Sequence, residues 1–161
     1  MTKIRVILIL FVAVMAGSCS LSKANKEYRG AIVGNWILND VTYTGSSGNF
    51  KSVLFNDVSD ACFKGSQWFF RNSNSTGSYT INPGADCMEG ARNIRWSVYE
   101  KGETGNQLQF KFIDEKRNDV SGGYGYRLDI VSLDQQQMTL QTQTTVEGEP
   151  ITVVYHFSRS Y

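Results

Sequence analysis

Gly34-Asn35-Trp36-Ile37-Leu38-Asn39-Asp40-Val41-Thr42-Tyr43 is the stretch whose reading decides the fold. Trp36 and Leu38 fall on one side of an extended chain, with Asn35, Ile37 and Asn39 on the other. That period of two marks a half-buried strand. Gly34 leaves room beside the large indole. A strand with one apolar face needs neighbours, and the rest of the chain supplies them.

Downstream the alternation recurs. Trp68 and Phe70 share a face, Asn72-Ser73-Asn74-Ser75 turns the chain, and Tyr79 and Ile81 alternate with Ser78 and Thr80 to complete a hairpin. Asn82-Pro83-Gly84 breaks the sheet before Ile94, Trp96 and Val98 resume it. Leu108, Phe110 and Phe112 alternate with Gln107, Gln109 and Lys111. The charged stretch Asp114 to Asp119, with Gly122, Gly123 and Gly125, reads as a flexible rim loop. Tyr126, Leu128 and Ile130, then Met138, Leu140 and Thr142, and finally Ile151, Val153, Tyr155 and Phe157 form the last apolar faces. Eight strands are therefore expected, near 34–43, 66–72, 76–82, 93–99, 107–113, 124–132, 137–145 and 150–159. Their short connections imply sequential antiparallel neighbours. Such strands remove their edges by closing into an up-and-down barrel, whose interior holds side chains or one small ligand. The expected fold is all-β, with one domain over residues 34–161.

Between the first two strands, Leu54, Val58 and Cys62 recur at i, i+4 and i+8 among polar residues, which predicts a helix of about two turns. Such a segment serves either as a lid or as a plug packed for stability.

Gly34-x-Trp36 at the first strand, the count of eight, and Arg159 on the parity of Val153, Tyr155 and Phe157 together resemble the lipocalins. The resemblance implies a barrel whose floor is closed by Trp36, with Arg159 packed over it, a cation–π contact of about 1 kcal/mol. The lipocalin signature before the seventh strand is absent. The resemblance is therefore to the broad lipocalin and calycin group of bacterial lipoproteins, Bacteroidetes type.

The N-terminus carries export signals. Lys3 and Arg5 accompany an apolar run from Ile4 to Met15, and Ala16-Gly17-Ser18 precede Cys19, so residues 1–18 read as a secretory signal peptide. The small residues before Cys19 resemble a lipobox, with Ala16 where leucine is usual. In that class the cysteine is diacylated, as by palmitate, and the chains hold the protein on a membrane. Residues 19–33 then form a lipidated N-terminus and a polar tether, reaching on the order of 20 Å. Cell-surface lipoproteins of the Bacteroidetes carry acidic residues after the cysteine. Ser20-Leu21-Ser22-Lys23 has none, which places the protein in the outer membrane facing the periplasm. Loss of Lys3 and Arg5 takes the 16 basic residues to 14, against 15 acidic ones. A near-neutral protein gives no reason to expect nucleic acid as a partner.

Cys62 and Cys87 remain for a disulfide, which would constrain the unfolded chain by about 3.5 kcal/mol on the loop-entropy account. His156, the one histidine, stands on the outward parity without a second ligand nearby, so neither a metal site nor a cofactor is expected. No Gly-x-Ser-x-Gly is present, and nothing sets carboxylates such as Asp40 and Asp129 across a cleft; no catalytic residue is assigned. Inward-facing Trp68, Phe70, Tyr79, Trp96, Phe110, Tyr126, Thr142 and Tyr155 are the candidate ligand-binding residues. Buried hydroxyls among them need partners. Two readings follow. One is a lipid-anchored envelope protein that holds a small hydrophobic or amphipathic ligand; the other is a filled barrel that serves as an interaction module for an envelope protein.

Overall fold

The computed structural model describes residues 22–45, 52–146 and 148–161. The expected signal peptide and Cys19 lie outside the described residues, as do residues 46–48 of the turn after the first strand. In chain order the elements are α1 (Lys23–Ile32), β1 (Gly34–Thr44), β2 (Val53–Leu54), β3 (Val58–Ser59), α2 (Asp60–Phe63), β4 (Gln67–Phe70), β5 (Thr76–Ile81), β6 (Gly90–Glu100), β7 (Asn106–Phe112), β8 (Tyr126–Leu133), β9 (Gln137–Val146) and β10 (Glu149–Ser160). Each expected strand forms. From β4 onward, each strand to β10 pairs with the next, and β1 closes the barrel between β10 and β4. All barrel pairings are antiparallel.

Side-chain parity decides the core. Trp36, Leu38, Trp68, Phe70, Ile94, Trp96, Leu108, Phe110, Leu140, Val153, Tyr155 and Phe157 are all buried. Parity changes twice. The β1–β10 register shifts between Leu38 and Asp40, so Asn39 is an extra residue. Val41 and Tyr43, of opposite parity to Trp36, therefore pack against the core. A similar shift lies between Ile130 and Ser132, which leaves Val131 exposed and sends Leu133 inward.

Two segments differ from expectation. The tether expected over 19–33 is helical from Lys23 to Ile32. Ser22 caps it by accepting from the Asn25 backbone N–H at 3.0 Å, and also donates to the Glu100 carboxylate. Its docking groups are few: Ile32 is fully buried, and the Asn25 side chain donates to the Val98 carbonyl at 2.7 Å. The Arg29 guanidinium lies 4.5 Å from the Trp96 ring centroid and donates to Ser75 Oγ at 3.0 Å. Helix ends leave carbonyls unsatisfied. Here Trp36 Nε1 donates to Ile32 O at 2.7 Å, while Arg159 donates to Val33 O at 2.6 Å and Ala31 O at 3.0 Å. The helix thus forms the floor of the barrel.

The helix expected over 54–62 is present only as the single turn α2. Leu54 and Val58 instead face each other across the β2–β3 ladder. Phe55 and Asn56 between them take φ of +54° and +50°, which reverses the chain and interrupts the helix. Leu54, Val58 and Cys62 are all buried nonetheless, because a tight hairpin also brings i and i+4 to one side. The charged rim stretch is held by its own groups: Asp114 accepts from Asn118, Asp119 pairs with Lys111, and Ser121 Oγ accepts from the Phe112 N–H.

Candidate ligand-binding mouth

The β2–β3 turn plugs the upper barrel. The Phe55 ring meets Phe110, Tyr126, Phe63 and Trp68 edge-on and stacks on Tyr155, with centroids 5.0 to 6.1 Å away. Offset and edge-on geometries are the favourable ones for aromatic quadrupoles. Tyr126 donates its hydroxyl to Phe55 O at 2.6 Å. Asp57 then anchors the turn: Arg92 reaches it through Nε at 2.8 Å and Nη2 at 2.9 Å, and Tyr79 donates to it at 2.6 Å. Side-chain exposures of 15% for Arg92 and 11% for Asp57 make this pair largely desolvated. Burial first, and donation to Asp57 second, push the Tyr79 hydroxyl well above its ordinary value.

Beside the plug a cavity of about 370 Å³ opens at the mouth, between β1, β8, β9, β10 and residues 52–55. Its apolar walls come from Leu54, Phe55, Leu128, Ile151, Val153 and the rings of Tyr43, Tyr126 and Tyr155; Thr142, Gln143 and Thr144 add polar groups. Tyr43 hydrogen-bonds Ser52 and Asp60, and burial followed by the Asp60 contact pushes its hydroxyl up to about 12. Tyr155 is only 2% exposed, and among the described residues its hydroxyl makes no hydrogen bond. Desolvation raises its pKa above the ordinary tyrosine value. Apolar walls with a few polar groups are the usual make-up of a small-molecule site.

The candidate residues separate accordingly. Tyr126, Thr142 and Tyr155 line the mouth cavity; Trp68, Phe70, Tyr79, Trp96 and Phe110 do not. Trp68 stacks on Tyr79 at 4.5 Å and donates to Ser66 Oγ at 2.9 Å. Phe70 packs edge-on against Trp96, which lies on the floor and donates to the carbonyls of Arg71 and Thr76 at 3.1 and 3.0 Å. The interior below Phe55 is packed core. Phe55, Asp57, Arg92 and Tyr43 were missed at the sequence level. Asn56 was the available signal, since asparagine is among the residues that tolerate the left-handed conformation a tight turn requires. Cys62 and Cys87 form a disulfide that ties α2 to the loop before β6. His156 bonds Thr42 across β1 and β10 at 3.1 Å. No group of three or more His, Cys, Asp or Glu among the described residues is placed to hold a metal.

At the floor, the Arg159 guanidinium lies 4.3 Å from the Trp36 ring centroid. A family model of the lipocalin-like domain matches residues 32–140. The chain belongs to the lipocalin-like family. No curated protein matches it. Among solved structures, this lipocalin-like barrel is similar to a bovine odorant binding protein in complex with a selenium-containing odorant, at 10% identity and a TM-score of 0.46, over 83% of this chain and 73% of that one. It is also similar to lobster apocrustacyanin A1, at 15% identity and a TM-score of 0.46, over 89% and 72% of the two chains.

Proposed function

We propose that this lipocalin-like protein binds a small hydrophobic or amphipathic molecule in its mouth cavity, without catalysing a reaction. The carrying observation is the 370 Å³ apolar cavity, on whose wall the Tyr155 hydroxyl has no hydrogen-bond partner among the described residues. An apolar body would gain by burial, and a hydrogen-bond acceptor on the ligand would pair with the Tyr155 hydroxyl. Tyr155→Phe tests this reading by calorimetric titration with octan-1-ol. The variant keeps its fold and melting temperature and binds the alcohol several-fold more weakly, in keeping with the loss of one buried hydrogen bond of about 1 kcal/mol. Equal binding by both proteins, or by neither, counts against the site.

The same proposal places the protein on the periplasmic side of the outer membrane through lipid on Cys19. With α1 beginning at Lys23, the chain from Cys19 to Ser22 can span at most about 10 Å. Ser22 meets Glu100 at the floor. The floor then faces the bilayer and the mouth faces away from it. Wild-type protein should partition into detergent and label with palmitate, and Cys19→Ser should do neither; a labelled variant removes the anchor.

One observation favours the interaction-module reading. Val53, Met88, Val120 and Tyr124, on connections at the mouth end, are 59% to 80% exposed. An envelope protein docking there would cover them. Cross-linking from the rim that is abolished by Tyr124→Ser and left unchanged by Tyr155→Phe would select this reading.

A further inference from the structure

The Phe55 ring stands where the ring of a ligand would stand. It is delivered by a hairpin that belongs to no barrel strand, through two consecutive left-handed residues, Phe55 and Asn56. Such φ values on residues other than glycine cost about 1 kcal/mol or more each, and persist where surrounding contacts hold them. Five rings, from α2 and four different barrel strands, surround Phe55. Two residues along, the Asp57 carboxylate accepts from Arg92 and Tyr79. A planar ring and a carboxylate joined by a short spacer make up an aromatic carboxylic acid.

We propose that residues 55–57 are a built-in occupant of a second, deeper subsite, which takes an aromatic carboxylate when the hairpin withdraws. The ligand's ring replaces Phe55, and its carboxylate replaces Asp57 on Arg92 and Tyr79. This inference rests on the ligand-binding reading and extends it downward, since Phe55 already forms a wall of the mouth cavity.

Two features support the exchange. Arg92 does not depend on Asp57 for its position, because its guanidinium also donates to the carbonyls of Gly90 and Met88, both at 2.7 Å. The cation therefore stays poised after Asp57 leaves. Withdrawal would also strand a largely desolvated guanidinium, which is costly unless another anion replaces the first. A neutral aromatic ligand leaves Arg92 unpaired, whereas an aromatic acid restores the pair. The subsite thus discriminates by charge as well as by shape.

Calorimetric titration with three probes tests the proposal: 3-phenylpropionate, 3-phenylpropan-1-ol and octan-1-ol, each against wild type, Asp57→Asn and Phe55→Leu. The closed hairpin lowers apparent affinity by the fraction of open molecules. Asp57→Asn loosens the hairpin and frees the cation, so it should bind 3-phenylpropionate about tenfold or more tighter than wild type, with no such gain for the alcohol. Phe55→Leu keeps most of the buried volume and should favour both aryl probes. The indole N–H resonance of Trp68, whose ring lies 6.1 Å from that of Phe55, should shift with 3-phenylpropionate and not with octan-1-ol. If octan-1-ol binds all three proteins while neither variant gains for 3-phenylpropionate, the deep subsite is overturned and the mouth site survives. If no probe binds any of the proteins, both readings fall.

Discussion

Arg159 stacks on Trp36 at 4.3 Å while its guanidinium donates to the carbonyls of Ala31, Val33 and Gln135. One side chain thereby joins the first strand, the last strand, the end of α1 and the β8–β9 turn. It also explains Gly34. The glycine has φ of +121°, and a Cβ there would lie 2.7 Å from Arg159 Nη1. The space beside Gly34 serves the arginine, not the indole.

Gly34→Ala should therefore cost about 1–3 kcal/mol, because it combines a left-handed conformation with a displaced guanidinium. Arg159→Ala should cost at least about 2 kcal/mol, from one cation–π contact and several charge-assisted hydrogen bonds. Urea denaturation measures both. Their effects should be less than additive, since each change damages the same contact. Full additivity would separate the two residues.

Ile32→Ala tests the floor. With Ile32 fully buried, the variant should lose about 2–5 kcal/mol. A loss below about 0.5 kcal/mol, the range of surface substitutions, would return this segment to the status of a tether.

The disulfide closes a loop between residues 25 apart. The double variant Cys62→Ser, Cys87→Ser should be less stable by about 3.5 kcal/mol at most, most of it lost from restriction of the unfolded chain. Oxidised wild type and the variant, melted side by side, give the comparison.

Stability should fall in alkali. Tyr43 ionises near 12 in the fold against an ordinary 10.0, with burial as the first cause and Asp60 as the second. Tyr79 and Tyr155 are shifted in the same direction by burial. Above pH 10 the folded state retains protons that the unfolded state has released, so stability declines with rising pH through the window up to about 12. Urea midpoints at pH 9 and pH 11 should differ in that order, and the drop should shrink in Tyr79→Phe.

Period-two alternation, read locally, was enough to place all eight barrel strands, and the shared parity of Val153, Tyr155, Phe157 and Arg159 put the arginine on the inner face. These features are legible because each depends on near neighbours and on a face that must be buried. Cys62 and Cys87 were legible by count once Cys19 is set aside. The helix Lys23–Ile32 was less so: its apolar marks are only Ala24, Tyr28, Ala31 and Ile32, and its carbonyls are satisfied by Trp36 and Arg159, which meet only after closure. The candidate site divided in the same way. Tyr126, Thr142 and Tyr155 line the cavity on the side of β8, β9 and β10, whereas Trp68 and Phe110, of the same inward parity, are covered by the Phe55 ring and Trp96 lies at the floor. Sequence alone determined which faces of the strands turn inward up to the two register shifts, because side-chain direction alternates residue by residue; beyond Asn39 and Val131 the inward face changed. Only the tertiary structure decided what fills the interior, because Phe55 and Asp57 are held by Tyr155, Tyr126 and Arg92, residues far along the chain that become neighbours only when the barrel closes.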